Sequence, residues 1–208
     1  MALDSQSTSD DYLENIKNKV IKYKNFVLAG FVIIVVAIFL NSYLKSSSLE
    51  KASKASEIFQ KITLIKSKDV ADLNDLANEL KDKYAGTPYA ARAQIILANK
   101  LTESGKLEDA NATMLWAAEH AQEEFISQIA YYNLCLNYVT LKDTEQAKKY
   151  VAKISISSLQ MLKNDLLGDI AVIEGKLEDA KKFYTDAIAA SSNQSNFSKV
   201  IQYKLNNL

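Results

Sequence analysis

The residues that most often carry out catalysis or bind metals are scarce in this chain. His120 is the only histidine and Cys135 the only cysteine. A general base or a metal ligand needs a partner of the right type at a suitable spacing, and His120, next to Glu119, has none. Cys135 has no second cysteine for an internal disulfide, and it lies where a small side chain is expected between two helices. We therefore interpret His120 as a surface residue and Cys135 as a buried structural thiol.

The acidic motifs have simpler explanations than acid-base chemistry. Pairs such as Glu108 with Asp109, and Glu178 with Asp179, fall at predicted helix starts, where the helix dipole stabilises negative charge. The sequence contains no phosphate-binding loop and no glycine-rich nucleotide motif. The residue inventory therefore predicts no enzyme activity, no cofactor and no metal site.

A six-residue sequence that occurs twice indicates how the chain is organised. Residues 105–110 read Gly-Lys-Leu-Glu-Asp-Ala, and the same letters return at residues 175–180. The interval equals two periods of about 35 residues, which is typical of helix-turn-helix repeat arrays. A degenerate copy at residues 142–147 lies half-way between them. Three consecutive helix pairs with one plan are thus predicted.

The residues around the three copies resemble the tetratricopeptide consensus. Gly105 and Gly175 stand where the first helix of a pair ends on a left-handed residue, and Lys142 replaces this glycine in the second copy. Ala110 and Ala180 are small enough to hold the second helix close to the first. These positions predict a solenoid of tetratricopeptide-like helix pairs.

Composition also predicts an all-α fold. One proline and five glycines in 208 residues leave little room for sheet. The single proline, Pro88, fits the first turn of a helix with Thr87 as its N-cap. The predicted helices span residues 49–66, 69–84, 88–103, 107–120, 124–140, 144–154, 157–173, 177–190 and 196–206.

A long apolar stretch precedes the repeats. Residues 25–44 carry no charge, and a helix of that length reaches about 30 Å, the thickness of the hydrocarbon core. Tyr23 and Tyr43 flank the stretch, as aromatic residues do at the membrane interface. A cleaved signal peptide is the alternative, since residues 46–48 are small serines. The leader, which is long and carries four acidic residues, favours an uncleaved membrane anchor.

The anchor defines the predicted domains. Residues 1–24 form a cytoplasmic leader, residues 25–44 a single transmembrane helix, and residues 45–208 an exported helical-repeat domain. The orientation rests on a slight excess of lysine before the anchor. The exported domain carries 21 basic and 21 acidic side chains, and a neutral domain is a poor nucleic-acid binder.

Helical-repeat arrays usually offer a binding surface rather than a reaction. Tyr131, Tyr132 and Tyr138 cluster on the first helix of the second pair, and first helices line the concave face of such arrays. Tyrosine suits adaptable contact with a polypeptide, while the alternative for these rings is a place in the repeat core, which we assign to Tyr138. We predict partner binding by Arg92, Asn99, Tyr131, Tyr132 and Asp169.

The order of the parts resembles one family in particular. The matching segments are residues 84–91 (Tyr-Ala-Gly-Thr-Pro-Tyr-Ala-Ala), residues 166–170 (Leu-Leu-Gly-Asp-Ile) and residues 204–208 (Lys-Leu-Asn-Asn-Leu). Together with the anchor and the repeats, these segments resemble the YfgM-like ancillary subunit of the SecYEG translocon of Gram-negative bacteria. The resemblance covers essentially the whole chain.

This resemblance implies a non-catalytic, single-pass type II protein of the inner membrane, with its N-terminus in the cytoplasm and its repeats in the periplasm. It implies association with SecYEG and with a PpiD-like membrane-bound chaperone, and assistance to exported client polypeptides on their way to periplasmic chaperones. Two alternatives stay open. A periplasmic scaffold for envelope or cell-division machinery would use the same fold, and an enzyme accessory domain would need a neighbouring subunit with a complete active site.

Overall fold

The structure is a computed structural model that describes residues 4–65, 70–191 and 196–208. Regular structure within these residues is entirely helical, in agreement with the predicted all-α fold. A short 3-10 turn at Ser157–Leu159 leads into α7. The helices are α1 (Asp4–Leu64), α2 (Val70–Tyr84), α3 (Pro88–Glu103), α4 (Leu107–His120), α5 (Glu124–Thr140), α6 (Thr144–Val151), α7 (Gln160–Ile173), α8 (Leu177–Ala189) and α9 (Asn196–Asn206).

The helix boundaries follow the sequence closely, with four differences among the described residues. α7 begins at Gln160 and not at residue 157, because Ser157–Leu159 form a 3-10 turn, and α8 ends at Ala189, one residue before the predicted end. α3, α4, α5 and α9 begin and end at the predicted residues. α6 ends at Val151 and not at residue 154, because the amides of Lys153 and Ile154 bond to carbonyls three residues back and Ile154 turns into the core. The predicted helix at residues 49–66 is the last part of α1, which ends at Leu64. The predicted ends at residues 66 and 69 lie outside the described residues.

Contacts divide the chain into an N-terminal segment, Met1–Glu50, and a repeat domain, Lys51–Leu208. In the segment, the apolar side chains of Phe26, Phe31 and Phe39 are exposed. Among the described residues, the helical stretch Ile21–Leu64 contains a window long and apolar enough to cross a membrane, and none of that window is buried. A signal sequence near the N-terminus shares this length and apolar composition.

The repeat domain is built from three similar helix pairs, α3 with α4, α5 with α6, and α7 with α8. α2 packs on α3 before them, and α9 packs on α8 after them. Three apolar clusters fill the space between these helices, and the central one joins the second pair to both of its neighbours. The largest fully buried apolar side chains include Leu80, Met114, Leu134, Leu166, Ile170 and Ile201.

The turn inside each pair has the same backbone conformation. Gly105, Lys142 and Gly175 have φ angles of 76°, 58° and 73°, so all three are left-handed. Lys142 therefore replaces the turn glycine as predicted, at the steric cost that a Cβ carries in this region. The same hydrogen bond of 2.9 Å closes each turn, from Lys106 N to Leu101 O, from Asp143 N to Tyr138 O, and from Lys176 N to Ala171 O.

Small residues bring the two helices of each pair together. Ala110, Ala147 and Ala180 occupy one equivalent position on the second helices, and none of the three is exposed. α8 also comes close to Gly168 of α7, since a Cβ added there would lie 2.3 Å from Cε1 of Tyr184. The third pair therefore requires glycine where it accommodates a large ring.

The start of α3 is as predicted, apart from the hydrogen bond of its N-cap side chain. Pro88 occupies the first turn as predicted, and Thr87 has the extended backbone of an N-cap. However, the Thr87 hydroxyl accepts no bond from α3 and donates to the carbonyl of Tyr84 at 2.8 Å. Thr87 is therefore the N-cap residue as predicted, but its side chain bonds to the end of α2 and supplies no cap hydrogen bond to α3.

Candidate protein-binding face

The first helices of the three pairs, α3, α5 and α7, contact one another in series. Three positions recur on each of them, at six and three residues before the small contact residue (Ala98, Cys135 or Gly168) and at one residue after it. We call the surface formed by these positions the first-helix face. It consists of Arg92, Ile95 and Asn99 on α3, Ile129, Tyr132 and Leu136 on α5, and Leu162, Asp165 and Asp169 on α7.

On α3, the face carries the polar residues Arg92 and Asn99 beside Ile95, and Arg92 is hydrogen-bonded within the chain. Arg92 donates from Nη2 to Oε2 of Glu123 at 2.6 Å and from Nη1 to the carbonyl of Pro88 at 2.8 Å. The hydrogen bond from Arg92 lowers the pKa of Glu123. Asn99 is exposed. Arg92 and Asn99 lie seven residues apart, so two helical turns place them on one side of α3.

On α5, the face is apolar. Tyr132 is half-buried against the central core cluster, and burial raises its pKa to about 12. Leu136 lies one turn further along and keeps 39% of its surface exposed. An aromatic ring anchored in the core beside an exposed leucine is a surface on which an apolar side chain of a partner would bury area.

The ring of Tyr131 lies in a different environment from that of Tyr132. Its ring stacks on Tyr150 of α6 at a centroid distance of 6.3 Å, and Tyr138 stacks on the same ring at 5.6 Å. The positions equivalent to Tyr131 on the other first helices hold Gln94 and Asn164, which are both buried. Tyr131 and Tyr138 thus pack between the helices of the second pair, and partner binding by Tyr131 stays a prediction.

On α7, the face carries two carboxylates that bind a lysine of the C-terminal helix. Nζ of Lys204 donates to Oδ1 of Asp165 and to both carboxylate oxygens of Asp169, each at 2.8 Å. The hydroxyl of Tyr184 donates to Oδ1 of Asp169 at 2.7 Å. The predicted residue Asp169 is therefore engaged by two groups of its own chain.

Burial and ion pairing shift the pKa values of Asp165 and Lys204 in opposite directions. Burial raises the pKa of Asp165, whereas the hydrogen bond from Lys204 lowers it by a smaller amount. For Lys204, burial of the ammonium lowers the pKa, but the hydrogen bonds to Asp165 and Asp169 outweigh burial and raise it. Burial also raises the pKa of Tyr184, as does its bond to Asp169. Lys204, Asp165 and Tyr184 were not predicted as site residues.

The residues excluded from chemistry have structural roles. His120 is exposed, stacks on Trp116 at 4.5 Å between ring centroids, and has Nδ1 2.9 Å from the carbonyl oxygen of Trp116. Cys135 is fully buried and donates to the carbonyl of Ala147 at 3.3 Å, and burial raises its pKa to about 12. In the part of the chain that the structure describes, no group of three or more His, Cys, Asp or Glu is arranged to hold a metal ion.

The repeated turns, the close helix contacts and the first-helix face define a helical-repeat protein of tetratricopeptide type. A family model described as a tetratricopeptide repeat-like domain matches residues 20–208, and the chain belongs to this family.

A protein described as an ancillary SecYEG translocon subunit, from Aggregatibacter actinomycetemcomitans, is 25% identical to this chain over 183 residues. The match covers 88% of this chain and 89% of that protein. The resemblance to the YfgM-like family is confirmed by these two matches. No solved structure matches the chain significantly.

Proposed function

We propose that this protein is a non-catalytic ancillary subunit of the SecYEG translocon that binds protein partners through its helical repeats. The observation that carries the proposal is the match along nearly the whole chain to a protein described as such a subunit. The tetratricopeptide repeat-like domain supports it, because arrays of this type serve as protein-binding surfaces.

We further propose where the protein lies in the cell and which partners it contacts. Residues 25–44 anchor the protein in the inner membrane, residues 1–24 remain in the cytoplasm, and residues 45–208 stand in the periplasm. There the repeats contact SecYEG and a PpiD-like chaperone, and they help exported polypeptides reach periplasmic chaperones. The apolar window within Ile21–Leu64 supports the anchor, and the slight lysine excess before it supports the orientation.

We assign partner binding to the first-helix face, with Leu136 and Tyr132 at its apolar centre and Arg92, Asn99 and Asp169 around it. Leu136 is the sharper probe of the two central residues. Its side chain is exposed, whereas Tyr132 also packs against the core and its loss would lower stability. Residues near the centre of an interface contribute most to binding, so a change at Leu136 should be visible in the complex.

The test is co-purification of SecYEG and PpiD with the full chain in mild detergent. Leu136→Ala should reduce recovery of the partners severalfold, with little change in thermal stability. Leu177→Ala is the matched control, because Leu177 is 47% exposed on α8 and lies outside the first-helix face. Equal recovery with both variants would reject the assignment of the face. Recovery of envelope or division proteins in place of the translocon would support a scaffold.

The orientation has its own test. Protease added to intact spheroplasts should remove the repeat domain and spare the residues before Lys24. Survival of the domain until the membrane is lysed would reverse the topology. A mature protein that begins near Ser48 would identify the apolar stretch as a signal peptide.

A further inference from the structure

Among the described residues, one cation, Lys204, pairs with the two carboxylates at the α7 end of the first-helix face. Lys204 pairs with Asp165 and Asp169, so the formal charge of this cluster is one negative unit. Three hydrogen bonds from Lys204 and one from Tyr184 use about half of the roughly eight acceptor sites that two carboxylates offer. The Asp169 side chain is 18% exposed, so an incoming donor has access to it.

The carboxylates lie beside the apolar centre of the face. α5 and α7 are in contact, and Asp165 and Asp169 occupy the positions on α7 that Tyr132 and Leu136 occupy on α5. Leu136 on α5 and Val172 on α7 are each 39% exposed. Apolar surface and uncompensated negative charge thus adjoin across α5 and α7.

We infer that this part of the face binds polypeptide segments in which an apolar side chain is flanked by lysine or arginine. The inference rests on the proposed function, since it specifies what the same face takes. The apolar side chain covers Tyr132 and Leu136, and the basic side chain supplies the second cation for the carboxylate pair. An acidic flank meets repulsion from Asp165 and Asp169 and is disfavoured.

The full chain in detergent micelles is titrated into two fluorescently labelled short peptides, and binding is followed by anisotropy. The peptides share one apolar sequence and differ only in their flanks, which are lysine in one and glutamine in the other. At low salt the lysine peptide should bind about threefold to fivefold more tightly, as a partly exposed ion pair allows. The ratio should fall towards unity as added salt screens the charges.

Variants separate the carboxylates from other contributions. Asp169→Asn should remove most of the preference, measured as the ratio of the affinities of the two peptides. Lys204→Gln should increase the preference, because it removes the internal competitor for the carboxylates. Asp186→Asn is the matched control: Asp186 is an exposed carboxylate on α8, away from the first-helix face. Circular dichroism establishes that each variant is folded.

The outcomes distinguish this inference from the function on which it rests. If Leu136 is needed for co-purification but the two peptides bind equally well, only the charge preference is overturned. If neither peptide binds, or if Asp169→Asn and Lys204→Gln both leave the ratio unchanged, the inference is overturned. If Leu136→Ala does not affect co-purification, the proposed face falls, and the inference falls with it.

Discussion

The second and third helix pairs share one backbone plan but fill their equivalent helix contacts differently. The second pair places Cys135 and Val151 at the contact positions, whereas the third places Gly168 and Tyr184 there. All four residues are buried. A smaller residue on the first helix thus accompanies a larger one on the second, because close packing limits the combined volume.

The same two pairs differ more on the first-helix face. The second pair presents Leu136, which is exposed, and Tyr132, which packs against the core. The third pair has Asp165 and Asp169 at these positions, and Lys204 of α9 pairs with both, although the Asp169 side chain stays 18% exposed. Equivalent backbone positions therefore place these side chains on the same side of their helices. The residues of the chain that pair with a side chain determine how much of it is available for binding.

Gly168→Ala should have the largest effect on stability, because it adds a side chain at the tight helix contact of the third pair. The new Cβ would clash with the Tyr184 ring. Overpacking of this kind typically costs about 1–3 kcal/mol, and we expect a loss of about 2 kcal/mol in the free energy of unfolding in urea. Cys135→Ala, at the equivalent position, should cost less than about 1.5 kcal/mol.

The double variant Gly168→Ala with Tyr184→Leu sharpens this prediction. If the clash causes the loss, the smaller leucine relieves it, and the two substitutions together cost less than the sum of their separate effects. Wild-type stability of Gly168→Ala would contradict the close approach of α7 and α8.

Lys204→Met tests the covered carboxylates of the third pair. It leaves Asp165 buried without its cation, and we expect a loss of about 1–2 kcal/mol at neutral pH. This is less than the cost of breaking a fully buried pair, since Lys204 is 29% exposed. Lys182→Met, an exposed lysine on α8, is the control.

The effect of Lys204→Met should depend on pH. The folded-state pKa of Asp165 is raised, so its contribution to stability is greatest below the unfolded pKa and is lost as pH rises through the folded value. Without the hydrogen bond from Lys204 the pKa of Asp165 is raised further, so more stability is lost at neutral pH. The difference between variant and wild type, measured by urea unfolding, should therefore shrink as Asp165 becomes protonated in acid. A difference independent of pH would indicate lost packing of the lysine stem alone.

Substitutions in the turns of the second and third pairs should have a smaller effect on stability. Gly175→Ala places a Cβ on a left-handed residue and should destabilise by about 1 kcal/mol. Lys142→Gly relieves the same strain but increases the entropy of the unfolded chain, so we expect a net gain of only about 0.5 kcal/mol. Thermal unfolding of both variants measures the signs. Destabilisation by Lys142→Gly would mean that lysine contributes at this turn beyond its backbone conformation.

Glu174→Gln tests the ion pairs that join the second and third pairs. Glu174 accepts hydrogen bonds from Lys148 of α6 and from Lys176, and these lower its pKa to about 2. The stabilisation is present above the ordinary glutamate pKa and is lost as pH falls through the lowered value. Wild type and variant should therefore differ in melting temperature at neutral pH and converge near pH 2. A difference in melting temperature that persists unchanged near pH 2 would contradict a role for the Glu174 charge.

Features set by neighbouring residues were predicted from the sequence. The left-handed conformation at Gly105, Lys142 and Gly175 follows from the local turn pattern, and the structure confirms it. The small contact position of Cys135 is confirmed by its burial, and the surface position of His120 by its exposure. Helical periodicity likewise places Arg92 and Asn99 on one side of α3, while partner binding by these residues stays a prediction.

Features set by distant residues were not predicted. Lys204 meets Asp169 across 35 positions and Asp165 across 39, and no sequence spacing links an acid on α7 to a lysine on α9. The backward hydrogen bond of Thr87 also depends on where α2 ends. Tyr131 and Tyr132 are adjacent in sequence, yet one stacks on α6 and the other lies on the first-helix face.

The sequence by itself determined the helices, their turns, the repeat plan and the apolar character of residues 25–44, because these depend on residues a few positions apart. The tertiary structure decided which side chains of the first-helix face are open and which are covered by the chain itself. Periodicity assigns a residue to a side of its helix. Burial and pairing depend on the helix that packs against that side, and only the folded chain brings α9 to α7.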